Sequence, residues 1–335
     1  MAIFDEKDYL KQSQGVIEQI PSFEAIADAL KDKKFEQIIV PAVGGTWARW
    51  YPVVRYMKKL TKIPIILENA ADYCVCAERK PNKGTLVLTA SNSGNTKEIV
   101  NAAKYSKENG AIVVSVGQPE SCELKDASNF YVHAPMHYGE NMYLLFFIQA
   151  LSIMNRLGSF DDYPLWIEQM KNLHPALLLV KDQFDPLAAT IGKKLAKAPF
   201  AVLVSSGILE KISYWYTLCV LQECQWIHAT SVSSADFFHG SLELVDDSIP
   251  LLLIKGVDEF RVLDERVEAF AKKVNCDLCL IDIADYPLNE LDQRYADMYS
   301  VFVAASLLSE RLEMYLELNT GHSLDFRRYY RRIDY

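Results

Sequence analysis

Positive charge is the first shortage. Lysine and arginine number 35 against 44 aspartates and glutamates, a formal net charge of −9 over 335 residues. Binding nucleic acid needs clustered cations to neutralise phosphates, so this balance argues against a nucleic-acid partner. Long apolar runs are missing too. No stretch reaches the ~18–20 apolar residues that a transmembrane helix requires, so no membrane partner is expected. Met1 to Gln19 has no basic segment followed by an apolar core and does not read as a secretion signal. Cysteine is sparse and odd in number, seven in all, which implies no disulfide framework. The expectation is a reduced, cytoplasmic protein. Low-complexity segments and long charge runs are also absent. What is there is an ordinary globular composition, 50% hydrophobic and 24% charged. That suffices for a sizeable core and, at ~150 residues per domain, for two domains.

The order of the residues narrows this. Helical spacing of Tyr9, Val16, Ile20, Ile26 and Leu30 marks the first ~35 residues. Short apolar runs then alternate with helical stretches: Ile38–Val40, a helix from Trp47 to Leu60, Ile63–Leu67, Thr85–Thr89, a helix from Lys97 to Glu108, and Ala111–Val116. Residues 139–196 are mostly helical, broken by Pro164, Pro175 and Pro186. The alternation resumes with Phe200–Val204, a helix from Leu209 to Gln225, Thr230–Val232, Leu251–Ile254, a helix from Phe260 to Lys273, Asp277–Ile283, and a long last helix from Tyr295 to Leu318. Such alternation predicts α/β architecture with parallel sheets covered on both faces, and the plan occurs twice. The expected division is a helical segment 1–34, a first domain 35–165, a second domain 185–320 and a tail 321–335.

One loop stands out chemically. Ser91-Asn92-Ser93-Gly94-Asn95-Thr96 sets hydroxyls, amides and a glycine between a strand and a helix. A helix N-terminus offers free N–H groups and the positive end of a dipole, and small residues let an anion approach. This composition suits a phosphate monoester. It lacks the lysine of a P-loop and the spacing of a dinucleotide fingerprint, which disfavours a nucleotide. The plainer alternative is an ordinary helix cap at Asn95 or Thr96. Gly44-Gly45-Thr46 after the first strand is a second such loop, and two loops at matching strand ends would lie side by side at the carboxyl edge of a parallel sheet.

Ser-Asn-Ser-Gly-Asn-Thr-Lys-Glu at 91–98 resembles the phosphosugar signature of the sugar isomerase (SIS) domain, with Asn95 where that family usually has glutamate. The Gly-Gly-Thr loop is similar to that domain's first loop. The resemblance covers nearly all of residues 35–320 and implies two doubly wound, flavodoxin-like SIS domains in tandem. It implies that Thr46, Ser91, Asn92, Ser93 and Thr96 hold the phosphate; Gly45 could reach substrate or a subunit interface.

The second half carries the candidate chemistry. Glu223 lies in an otherwise apolar helix end, where a carboxylate is costly unless paired or employed. His239 sits in an aromatic turn before Gly240. The helix end, strand and turn between them could return the imidazole to the carboxylate. The plainer readings are a surface charge and a structural histidine. Here too there is a resemblance. Glu-Cys-Gln-Trp-Ile-His at 223–228, Asp-Phe-Phe-His-Gly at 236–240 and the arginine- and tyrosine-rich ending at 327–335 are similar to the fructosamine-6-phosphate deglycases. Ser241 replaces their usual proline, and Ala235-Asp236 their Gly-Glu. The resemblance implies Glu223 and His239 as a catalytic pair, a phosphorylated sugar-amine substrate and a homodimer or higher homo-oligomer. It leaves open which amine is released and whether His239 or another group protonates C2. An aldose–ketose or aminosugar phosphate isomerase, or a non-catalytic phosphosugar-binding regulator, are the alternatives. The chain opens with Met1-Ala2-Ile3, without the cysteine nucleophile of a glutaminase, so no use of glutamine is expected.

The remaining candidates carry less. His228 could face substrate or pack beside Trp226. Arg327, Arg328 and Tyr335 could reach substrate or a neighbouring subunit, and a structured tail is expected because Tyr329, Tyr330, Ile333 and Tyr335 offer apolar surface to bury. Cys276 and Cys279 have redox spacing but run into a strand, so no redox role is expected. His133 and His137 with Cys122 or Glu140 do not match zinc spacing. No metal and no cofactor is expected.

Overall fold

The computed structural model describes residues 4–334, and Tyr335 lies outside them. The chain divides into two compact units, one of Glu6–His174 and one from Pro175 onward that also takes in residues 4 and 5.

The first unit contains strands β1 (Gln37–Ala42), β2 (Ile65–Asn69), β3 (Thr85–Ser91), β4 (Ile112–Gly117) and β5 (Phe130–His133). They form one parallel sheet in the order β2-β1-β3-β4-β5. β1 and β3 are buried along their whole length, which is why they read as unbroken apolar runs rather than alternating ones. The helix Gly139–Arg156 is buried from Gly139 to Met154, as expected of a helix that is apolar all round. Trp50 stacks on its Phe146 at 4.7 Å between ring centroids. Helices Glu6–Ile17 and Ile20–Leu30 belong to the same unit.

The second unit repeats the plan with β6 (Ala201–Ser205), β7 (Ala229–Ser233), β8 (Leu251–Lys255) and β9 (Leu278–Asp282). The order β7-β6-β8-β9 reproduces that of β2-β1-β3-β4, and all pairings are parallel. Both sheets are therefore doubly wound, as expected from the repeated alternation.

Several local expectations need correction. Pro186 does not break its helix, which runs from Leu173 to Leu195 with the proline inside. The cost of ~3 kcal/mol or more for an interior proline is offset by burial of Leu177, Phe184, Ala188, Ile191 and Leu195 along the same helix. The last helix is not continuous. Ala296–Leu307 and Glu313–Thr320 flank a π-helical turn in which Ser309 leaves helical geometry (ψ −132°). There the buried Lys181 Nζ donates to Ser306 O at 3.0 Å and Glu310 Oε2 at 2.7 Å. An interior ion pair with this packing outweighs helical regularity. The short helices Ala70–Cys76 and Glu123–Ala127, and the edge strand β5, carry too little periodicity to be legible.

The carboxyl edge of the second sheet is locked by charge. Asp282 receives Arg261 through both guanidinium nitrogens at 2.8 Å and Lys255 Nζ at 2.6 Å. Burial works to raise the Asp282 carboxyl, but the bonds from Arg261 and Lys255 prevail and hold it below its ordinary range. Such a group adds stability that is present above its unfolded pKa of ~3.9 and lost as pH falls through the folded value. Asp282→Asn is expected to cost ~3 kcal/mol at pH 7. Urea titrations of both proteins should converge once the pH drops below the range in which the wild-type carboxylate ionises.

Candidate active site

In the first unit β1 pairs with β2 on one side and β3 on the other. The strand order reverses between β1 and β3, and parallel sheets bind ligands in the crevice at that point. The two loops singled out from the sequence leave the carboxyl ends of these two paired strands. Thr89 Oγ1 donates to Pro41 O at 2.7 Å and ties the two ends together.

The Gly-Gly-Thr segment is not a free loop. The helix starts at Gly44, so Gly45 and Thr46 lie in its first turn, with Thr46 N donating to Val43 O at 3.1 Å. Ser91 to Thr96 is the true loop. Ser91 is buried at the end of β3, Ser93 and Thr96 are half-buried, and Asn92 is exposed. Thr96 occupies the cap position of the helix Lys97–Glu108, yet its hydroxyl makes no cap bond. It meets Ser91 Oγ at 2.9 Å instead. The helix thus keeps its N-terminal donors beside two hydroxyls that can turn to a ligand, a good receptor for an anion. Gly94 is required here: its φ is +69°, and a Cβ would strike the Cys122 side chain.

The corresponding crevice of the second unit, between β6 and β8, is differently filled. Asp258 accepts from Ile208 N at 2.7 Å and from Phe260 N at 3.0 Å. Gly207, at φ +58°, leaves room for this carboxylate. The chain places its own anion on these donors, so an incoming phosphate is better served by the first unit.

Glu223 ends the helix that returns from β6 to β7. The α-helix Glu210–Trp215 passes into a π-helical turn, Tyr216–Gln222. Glu223 N and Gln225 N reach back five residues to Leu218 O and Val220 O at 3.1 and 3.0 Å. The wider turn rotates Glu223 out of the apolar stripe, and π-turns frequently occur at functional sites. Trp226 follows with φ +56°, a strained position for a bulky residue. Its ring packs on His322 at 4.5 Å and Phe326 at 5.4 Å, and the Arg328 guanidinium lies 4.0 Å from its centroid. Gln225 is buried and fixes the start of the tail, donating to His322 O and accepting from Thr320 Oγ1, both at 2.7 Å.

The tail then delivers Arg327 to Glu223. Arg327 Nε donates to Glu223 Oε1 at 2.8 Å, with both side chains half-buried. Burial works against the Arg327 charge, but the Glu223 bond prevails and raises the guanidinium further above its ordinary value. Next door, burial above all pushes the Cys224 thiol up to about 12, and its Sγ donates to Cys219 O. Cys224 is therefore a packed thiol and not a nucleophile.

His239 is exposed on a short 3₁₀ turn, Phe237–His239. The turn is anchored by Phe237, buried among Val202, Val204, Leu251 and Leu253, and by edge-on packing of Phe237 and Phe238 on Phe270. Buried Asp264 accepts from Ser234 Oγ at 2.5 Å and Gly256 N at 3.0 Å and holds the start of the loop. Phe270 belongs to the helix Arg261–Val274. That helix and the helix leading to Glu223 cover opposite faces of a doubly wound sheet. This corrects the expectation of a returning imidazole: within one chain the sheet stands between Glu223 and His239.

The other candidates are placed as follows. His228 is exposed and Trp226 packs on His322 instead. Tyr329, Tyr330 and Ile333 are exposed, so arginine contacts and Phe326, not tyrosine burial, hold the tail. Tyr335 lies outside the described residues. Cys276 and Cys279 are free thiols. His137 Nε2 meets Gln118 Nε2 at 3.1 Å. Among the described residues no cluster of three histidine, cysteine or acidic side chains is placed to hold a metal, and no helix is long and apolar enough to cross a membrane. The π-turn, Gln225, His322, Asp258 and Asp264 had no sequence signal beyond single polar residues in apolar surroundings.

Comparison with known proteins gives a consistent picture. The chain is 28% identical to the fructosamine deglycase of Bacillus subtilis, covering 96% of this chain and all of that one. The chain resembles the fructosamine deglycases. It is 22% identical to the fructoselysine 6-phosphate deglycase of Escherichia coli, over 93% of this chain and 90% of the relative. A crystal structure from B. subtilis, provisionally described as a phosphosugar isomerase, superposes with a TM-score of 0.90 at 25% identity, over 96% of this chain and all of that one. No protein-family profile matches the chain. In sequence it is similar to deglycases, and in fold to a phosphosugar isomerase, over more than nine-tenths of its length.

Proposed function

We propose that this protein hydrolyses a 6-phosphofructosyl amino acid or amine to glucose 6-phosphate and the free amine. The observation that carries the reading is Glu223, a half-buried carboxylate set out of its helix by a π-turn, in a chain similar to two deglycases over 96% and 93% of its length. The phosphate is assigned to Thr46, Ser91, Asn92, Ser93 and Thr96. Phosphate binding supplies remote energy to orient C1 and C2.

The open-chain ketosamine has an acidic C1 proton beside the C2 carbonyl. Glu223 takes that proton while His239, as general acid, protonates the carbonyl oxygen, giving the enaminol. Proton return to C2 and loss of the nitrogen proton give a C1 imine. Water adds at C1, the C1–N bond breaks, and the aldehyde of glucose 6-phosphate and the amine depart. Since the sheet stands between Glu223 and His239 of one chain, the reading assigns the two groups at one substrate to different copies in a homo-oligomer.

A second reading, phosphosugar isomerisation without hydrolysis, is favoured by the provisional description of the B. subtilis structure. Incubation with 6-phosphofructosyl-glycine or -lysine and assay of glucose 6-phosphate separates the two. Release of glucose 6-phosphate is expected. Conversion of fructose 6-phosphate with none from either ketosamine would favour the isomerase. For the loop, Ser91→Ala and Thr96→Ala are each expected to weaken glucose 6-phosphate binding about tenfold, one charge-assisted donor apiece. Calorimetry checks this, and unchanged affinity in the double variant would remove the phosphate assignment.

A further inference from the structure

The contact between Glu223 and Arg327 is incomplete in an informative way. Arg327 Nε holds Glu223 Oε1, and Nη1 donates to Leu324 O and Phe326 O. Neither Nη2 of Arg327 nor Oε2 of Glu223 has a partner among the described residues. The ion pair thus leaves one carboxylate oxygen to accept a proton and one guanidinium edge to accept an anion. The surroundings favour an anion: residues 326–334 hold four arginines against one aspartate, in a chain of net charge −9. Arg328 and Arg332 lie over the Trp226 and Phe326 rings at 4.0 and 4.8 Å.

Substrate chemistry supplies such an anion if the sugar is attached to an α-amino group. In that case the carboxylate carbon is separated from C1 only by the nitrogen and Cα, within ~4–5 Å. A base that removes the C1 proton then meets a second carboxylate, and two carboxylates that close repel each other unless a cation lies beside them. A planar guanidinium is suited to this, because its separate edges can hold two carboxylates at once. When the sugar is attached to a remote side-chain amine, or to an amine without a carboxylate, this group is absent from the site.

Resting on the deglycase reading, we infer that Arg327 is a specificity residue that selects 6-phosphofructosyl α-amino acids, taking their carboxylate on its free edge while its Nε positions Glu223.

The test compares kcat/KM of the full-length protein on 6-phosphofructosyl-glycine and on 6-phosphofructosyl-glycinamide, which differ in the carboxylate. Wild type is expected to prefer the glycine compound by about tenfold to a hundredfold, the range for one charge-assisted contact. In Arg327→Gln the preference should shrink to within about threefold, and Arg327→Lys should retain part of it, since lysine keeps the charge but not the fork. The ratio cancels any general loss of activity, so a purely structural role for Arg327 would not move it. The wild-type ratio and Arg327→Lys still decide the matter if Arg327→Gln fails to fold. A wild-type ratio near one, or a preference that survives Arg327→Gln, would overturn the inference and leave the deglycase reading intact. No turnover of either compound by wild type would overturn the inference, and would overturn the deglycase reading too only if 6-phosphofructosyl-lysine were also left intact.

Discussion

Glu223→Gln is expected to keep the fold and substrate binding and to lose turnover by ~10²–10⁴-fold, the usual cost of removing a general base. The amide retains the shape of the side chain and an oxygen for Arg327 Nε, which now sits 2.8 Å from Glu223 Oε1. It cannot accept the C1 proton. Thermal melting and glucose 6-phosphate calorimetry should therefore be near wild type while release of glucose 6-phosphate collapses. The same chemistry predicts an isotope signature in the wild-type enzyme. Deuterium at C1 of the substrate should slow the reaction if proton abstraction limits the rate, and glucose 6-phosphate formed in deuterium oxide should carry deuterium at C2. Wild-type turnover in Glu223→Gln, or a product with neither solvent hydrogen at C2 nor internal transfer from C1, would rule out this mechanism.

The two sheets were legible because their central strands are buried on both faces and so read as plain apolar runs, as in Ile38–Val40 and Leu251–Ile254. The loop at 91–96 was legible as a strand-to-helix connection because hydroxyls, amides and a glycine there separate an apolar run from a helical stretch. What the sequence hid depends on contacts distant along the chain. The π-turn at Tyr216–Gln222 costs one backbone register shift and leaves the apolar pattern intact. Ser309 breaks the last helix where the buried Lys181 bonds Ser306 O and Glu310, 125 and 129 residues away along the chain. The Arg327–Glu223 pair spans 104 residues. A structured tail was expected for the apolar surface of its tyrosines and Ile333, yet Tyr329, Tyr330 and Ile333 are exposed and Arg327 makes the contact. The expectation that a helix end, a strand and a turn would return His239 to Glu223 overlooked the topology: a chain that crosses a doubly wound sheet changes faces at each reversal of direction.

That change of faces leads to the prediction with the most distinctive outcome. Neither Glu223→Gln nor His239→Ala alone should turn over substrate at more than a small fraction of the wild-type rate, yet chains of the two kinds assembled together should recover activity. His239 stands on the turn packed against Phe270, and Glu223 ends the helix on the other side of the sheet. If both groups act on one substrate, a second copy must supply one of them, and in a symmetric dimer the exchange is reciprocal. In a mixed dimer one pairing then joins the two altered groups and the other joins intact Glu223 with intact His239. Random assembly makes half of the dimers mixed, each with one of its two pairings intact, so about a quarter of wild-type activity should return. Co-expression with two different affinity tags, followed by sequential purification, isolates the mixed species and should raise this to about half. Because the rescued sites contain only wild-type groups, their KM should equal that of the wild type while kcat per chain is halved. Recovery no greater than the mean of the two parents, in material shown by native mass spectrometry to be mixed, would mean that no second copy completes the pair.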